Sequence, residues 1–343
     1  MAKLKMNKTG YDRREFIKMS ASLAALMSMP ACFRSAQTDK WGTVLPTRTL
    51  GSTELEATIF CVGGGPIPVP TGEEAGRIIE HAIQGGCRFF ETARRYADGQ
   101  SEEAWGKYLI PTYRNEIILM SKSPAGKAED MNRDIDASLE AFKTDYIDIY
   151  LMHGIGSPDD VERRFTGGAF DALVRAKEEG KINHIGFSGH KDPEAHNYLI
   201  NKNLPDLEVV ILPLNAIDPL RNSFVLNTIP VALKHNMGII AMKVFGGGSF
   251  IGENIVWGYD EVGKSRERIM PDLISSAEAQ HFSISLPIAS TSIGCTVADH
   301  VDEAIANARS FTGMSETERK SLTERLSEVA LNYNFEHYKA LGS

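Results

Sequence analysis

From about residue 57 to residue 308 the chain alternates short apolar runs with stretches of helical period, and the alternation passes through eight units. Apolar runs of four to eight residues read as buried strands, and strands separated by helices cannot pair as hairpins, so the rhythm dictates a parallel sheet. Strands are expected at 58–62, 88–91, 117–121, 147–152, 185–188, 209–214, 239–244 and 285–289. Helices are expected at 73–85, 101–109, 132–142, 169–179, 193–201, 223–235, 272–280 and 297–308, with stops at Gly85-Gly86, Gly180 and Gly238. Eight such units, with no linker to divide them, predict an α/β fold of the (β/α)8 TIM-barrel type, one domain over residues 46–310. A further helix at about 316–331 falls outside the repeat, in an extension covering 311–343.

The first 36 residues are of another kind. Arg13-Arg14 followed by Phe16 and Lys18, then an apolar stretch from Met19 to Met29, looks like a twin-arginine export signal, which serves proteins that cross a membrane already folded. That stretch is shorter than the roughly 20 apolar residues a membrane span needs. Met29-Pro30-Ala31-Cys32 resembles a weak lipoprotein box, so the expected destination is the periplasm or a membrane anchor at Cys32, reached through the twin-arginine translocation machinery. Without this segment the chain keeps 30 basic and 43 acidic residues, a formal charge near −13, which argues against nucleic acid as a partner. Cys61, Cys87 and Cys295 show no CxxC spacing and read as small buried hydrophobes, so no metal is expected.

In a barrel of this kind the carboxyl ends of the strands share one mouth, so chemistry is sought there. The second, third and fourth strand ends supply Glu91 with Tyr96, then Lys122, then His153. A carboxylate, a phenol, an ammonium and an imidazole therefore converge. Beyond the seventh strand, Lys243 and Gly246-Gly247-Gly248 provide bare backbone that can approach a pyrophosphate and donate N–H groups to it.

The motifs TRTLGSTELEATIFCVGGG, ETARRYADGQSEEAWGKYL, EIILMSKSP and YIDIYLMHGI resemble those of the aldo-keto reductase superfamily, over essentially all of residues 46–310. The resemblance implies an oxidoreductase interconverting a carbonyl and an alcohol with NAD or NADP. Tyr96 would be the general acid and Lys122 the ammonium that lowers its pKa. His153 would orient the substrate oxygen, and Glu91, where the family has Asp, would anchor Lys122. Ser188 and Asn215 fall where the family holds the nicotinamide, and Met242 where a ring usually stacks on it. Gly189 and Ile211 replace the usual amide side chains. Gly294, Cys295, Thr296, His300 and Glu303 match the adenosine segment. No basic residue stands between Gly294 and His300 to clamp a 2′-phosphate, which leans the expectation toward NAD.

The partner is expected to be a small carbonyl or alcohol compound, sugar-like by guess. Residues 249–270, with Phe250, Trp257 and Tyr259, read as a lid over the mouth, and Arg94, Arg95, Arg163 and Arg164 as surface groups or contacts for an acidic substrate. Export and nicotinamide chemistry together call for a cofactor retained from folding and regenerated in one site. The residues also leave open a degenerate barrel that binds without turnover.

Overall fold

The computed structural model describes residues 37–66, 72–250, 273–332 and 335–339. The export segment and most of the expected lid lie outside them. Eight parallel strands close into a barrel: β1 (Phe60–Gly63), β2 (Phe89–Glu91), β3 (Ile118–Ser123), β4 (Ile147–Met152), β5 (Ile182–Ser188), β6 (Leu207–Pro213), β7 (Gly238–Met242) and β8 (Ser290–Gly294). Each pairs with its sequence neighbours, and β8 returns to β1 through Thr291↔Phe60 and Gly294↔Gly63.

Side chains alternate sides along a strand. Phe89, Met120, Leu151 and Ile240 fill the barrel together with Cys61, Ile149, Val209 and Ile211, while Phe90, Leu119, Tyr150 and Ala241 face the surrounding helices. Two residues beyond the first set stand Glu91, Lys122, His153 and Met242, so period two alone aims all four into the mouth. The opposite end is closed by a hairpin, Thr47–Thr49 paired with Glu56–Thr58, whose Leu50 and Ala57 join the inner cluster. Gly51 has φ +58, and a Cβ on it would lie 2.1 Å from the Gly238 nitrogen, so only glycine lets this floor meet β7. The three described cysteines are buried.

The expected helices form at Gly72–Gln84, Gln100–Tyr108, Ala128–Phe142, Ala169–Glu178, Pro193–Ile200 and Ala298–Ser310, and Glu316–Asn332 follows the repeat. Three expectations are corrected. The stretch 223–235 splits into Phe224–Asn227 and Ile229–Lys234, because Pro230 stands in the first turn of the second helix, where its missing N–H costs nothing. The eighth strand is Ser290–Gly294 and not 285–289: the carbonyls of Leu286 and Ile288 accept from buried Arg48 Nη1 at 3.4 and 2.7 Å, and pairing with β7 begins with the Ala289 N–H, which donates to the Ile239 carbonyl at 2.8 Å. The helix before it starts late, at Ser276, where Ser275 and Glu278 form a capping box.

Candidate active site

Lys122 is the centre of the mouth. It is 1% exposed, ion-paired to Glu91, and donates to the Thr92 carbonyl at 2.8 Å and the Tyr96 hydroxyl at 3.2 Å. The Tyr96 ring meets His153 edge-on at 5.8 Å. Tyr96 is delivered by a tight turn in which Ala97 and Asp98 have φ of 52° and 51° and Gly99 has φ +91. Arg94 lies against Gly99 and pairs with buried Glu102, whose other oxygen accepts from Ser121 at 2.6 Å and Ser138 at 2.7 Å. This network anchors the turn beneath the phenol to β3 and to the helix Ala128–Phe142.

Burial lifts the Tyr96 phenol above its ordinary value; the Lys122 ammonium opposes this and Glu91 adds to it. The expectation of a lowered phenol is thus corrected: desolvation outweighs an ammonium already paired with a carboxylate. Burial lowers Lys122, but Glu91 and Tyr96 outweigh it and the ammonium is held above its ordinary value. His153 is pushed well down, first by burial and then by Lys122, Arg95, Arg164 and Lys243, so its imidazole is neutral at pH 7. Its Nδ1 is buried with no hydrogen-bond partner among the described residues. Tyr96, Lys122 and His153 therefore offer a proton-bearing phenol, a fixed cation and a neutral imidazole.

A cleft holding about 630 Å³ of space, open solvent included, opens above these groups, and its lining includes Glu91, Tyr96, Lys122, His153, Ser188, Met242, Lys243, Gly247, Gly248 and Gly294. Gly246, Gly247 and Gly248 have φ of +58, +70 and +94, values that β-carbons would strain. A Cβ on Gly294 would strike Pro66 at 2.5 Å. These bare stretches fit a dinucleotide's pyrophosphate.

Other expected cofactor residues lie apart from the cleft. Asn215 spends its amide on the C-terminal segment, donating to Glu336 Oε1 and the Tyr338 hydroxyl, each at 3.0 Å, while its carbonyl oxygen accepts from the backbone of Ile217 and Asp218. Beside it, Lys339 bridges Asp218 at 2.6 Å and Glu336 at 2.7 Å. Gly246 packs on Phe250, Cys295 is buried, and the Thr296 hydroxyl lies 3.0 Å from His300 Nδ1. Glu303 is exposed and accepts from Ser276. Of the arginines weighed as substrate contacts, Arg94 is committed to Glu102, and Arg163 and Arg164 pair with Asp160. Arg164 also donates to the His153 carbonyl at 3.1 Å; only Arg95 is exposed without such a pairing described.

Sequence reasoning missed His190 and Ser292, which also line the cleft. The GFSGH motif carried a signal for His190. Ser292 had none, because the strand holding it was misplaced.

An eight-stranded barrel with this quartet at its mouth defines a class of carbonyl and alcohol oxidoreductases. The aldo/keto reductase family matches residues 62–339, and the chain belongs to that family. The match runs past residue 310 and takes in the C-terminal segment. Aldo-keto reductase yakc [NADP(+)] of Schizosaccharomyces pombe is 29% identical over 159 residues, 42% of this chain and 45% of that protein. L-galactose dehydrogenase of Arabidopsis thaliana is 28% identical over 213 residues, 58% and 65%. The chain thus spans less than two thirds of either relative's length. The fold matches the holo form of aldo-keto reductase AKR11C1 from Bacillus halodurans, with TM-score 0.63 and 21% identity over 81% of this chain and 95% of that one. The expected lean toward NAD finds no support in these relatives, one of which carries NADP in its name.

Proposed function

We propose that the chain is a nicotinamide-dependent oxidoreductase that interconverts a small carbonyl compound and its alcohol. The 3.2 Å contact between the Lys122 ammonium and the Tyr96 hydroxyl, inside a cleft that also holds a neutral imidazole, carries this reading. Tyr96 gives its proton to the carbonyl oxygen, and Lys122 steadies the phenolate left behind. His153 orients the same oxygen. A bound NADH or NADPH would supply the hydride. Gly247, Gly248 and Gly294 would lie along its phosphates, with Ser188 and Met242 toward the nicotinamide. A sugar is the first substrate class to try, because the plant relative is named for one.

The dinucleotide's 2′ position would fall at the start of the helix Ala298–Ser310. Its Ala298 N–H already donates to Glu74 Oε1 at 2.9 Å, and residues 294–300 contain no Lys or Arg. That carboxylate, whose other oxygen pairs with Arg77 at 2.9 Å, takes the N–H group that a phosphate at this helix end would use. Fluorescence titration of the purified chain with NADH and NADPH tests the reading. Saturable binding with NADH the tighter ligand is expected; no binding of either overturns the assignment, and tighter NADPH overturns the part given to Glu74.

We also propose export by the twin-arginine route, to the periplasm or to a membrane anchor at Cys32, on the strength of Arg13, Arg14, Phe16, Lys18 and the short apolar stretch behind them. Replacing both arginines by lysine is expected to keep the protein in the cytoplasm on cell fractionation. Unchanged export would refute the signal.

A further inference from the structure

The three hydroxyl residues of β8 do different things. Thr291 donates to the Ile59 carbonyl at 2.9 Å, and Ser290 Oγ is buried with no partner among the described residues. Ser292 is 7% exposed, lines the cleft, and donates to Glu91 Oε2 at 3.1 Å, while Glu91 Oε1 accepts from Lys122. The carboxylate of Glu91, a residue 4% exposed, is therefore held from β3, which neighbours β2, and from β8, which lies beyond β1 on the other side.

We propose that Ser292 is a positioning residue matched to the glutamate at position 91, acting through Glu91 and Lys122 on Tyr96. Glutamate has one more rotatable bond than aspartate, so a carboxylate held only by Lys122 could swing and carry the ammonium with it. The Ser292 hydroxyl fixes the second oxygen and removes that freedom. An aspartate at 91 draws the carboxylate back by one carbon–carbon bond, about 1.5 Å, and out of reach of Ser292. Ser292 and Glu91 thus act as a pair, and the longer side chain keeps the Lys122–Tyr96 contact because β8 supplies the hydroxyl.

The inference rests on the reading of Tyr96 as the acid, and its test is a double-mutant cycle of Ser292→Ala and Glu91→Asp. The first readout is ionisation of Tyr96 by ultraviolet difference titration against Tyr96→Phe, on protein without added cofactor. The groups facing that phenol are Lys122, Glu91 and His153. The second is kcat and KM for reduction of 4-nitrobenzaldehyde. Ser292→Ala is expected to raise the Tyr96 titration by about half a pH unit or more and to lower kcat about tenfold with KM unchanged. In the Glu91→Asp background the same change is expected to do neither. Ser292→Cys, similar in shape but a poor donor, should repeat the alanine result, and Ser292→Thr should restore the parent behaviour. Equal effects in both backgrounds, or an unmoved titration in Ser292→Ala, overturn the proposal. A parent protein that reduces no carbonyl removes the functional reading, and the titration still decides whether Ser292 acts on Tyr96.

Discussion

Tyr96→Phe is expected to lower carbonyl reduction by about a thousandfold while leaving dinucleotide affinity within about twofold of the parent. The ring keeps its edge contact with His153, and only the hydroxyl within 3.2 Å of Lys122 is lost. Steady-state reduction and dinucleotide titration on the same preparation check both halves. Retained activity would mean that another group supplies the proton. The parent's pH profile follows from the same geometry. The protonated phenol is the working form for reduction, and burial with Glu91 holds it above its ordinary value against Lys122. Reduction should therefore stay level through neutrality and fall only on the alkaline side of the ordinary tyrosine value, about 10. Alcohol oxidation, which needs the phenolate, should rise over the same interval. His153 adds no break near neutrality, because its imidazole is already neutral there.

The second large effect is on stability as well as rate. Lys122→Met leaves buried Glu91, 4% exposed, without its cation; among the described residues its carboxylate then keeps the hydrogen bond from Ser292 alone. Removing one partner of a buried pair typically costs about 3–5 kcal/mol, so a drop of that order is expected in denaturant unfolding, with activity lost about as completely as in Tyr96→Phe. Glu91→Gln added to Lys122→Met removes the stranded charge and should recover most of the stability and none of the activity. If the single variant unfolds like the parent, water or a neighbour must reach Glu91, and the mouth is wetter than its burial implies.

How far the sequence reveals these arrangements depends on which face of a strand carries the signal. The fourth strand, IDIYLM, carries apolar residues on both faces with Asp148 the one exception, and its expected and observed bounds coincide at 147–152. The eighth fails for the opposite reason: it opens with Ser290, Thr291 and Ser292, the last of which reaches the cleft, while the apolar run before them is tied to Arg48. Polarity near the chemistry hides the strand and with it the cleft residue Ser292. Convergence of Tyr96, Lys122 and His153 was legible because three strand ends carried it in order. The direction of the Tyr96 shift was not, since a sequence shows the neighbouring ammonium but not the burial that outweighs it. Nor could Asn215 be matched with Glu336 and Tyr338, because those contacts reach across more than a hundred residues and no local period points to them.

That segment ties the end of β6 to the timing of synthesis. The groups that bond Asn215 lie 121 and 123 residues further along the chain, and the cation that serves buried Asp218 lies 121 residues beyond it. On the ribosome, every barrel strand is made before either contact can form. A nascent chain stopped short of residue 335 would hold all eight strands and still carry a buried carboxylate without its cation at the rim. This part of the rim is thus completed only once residues 336–339 have been made, well after the last barrel strand.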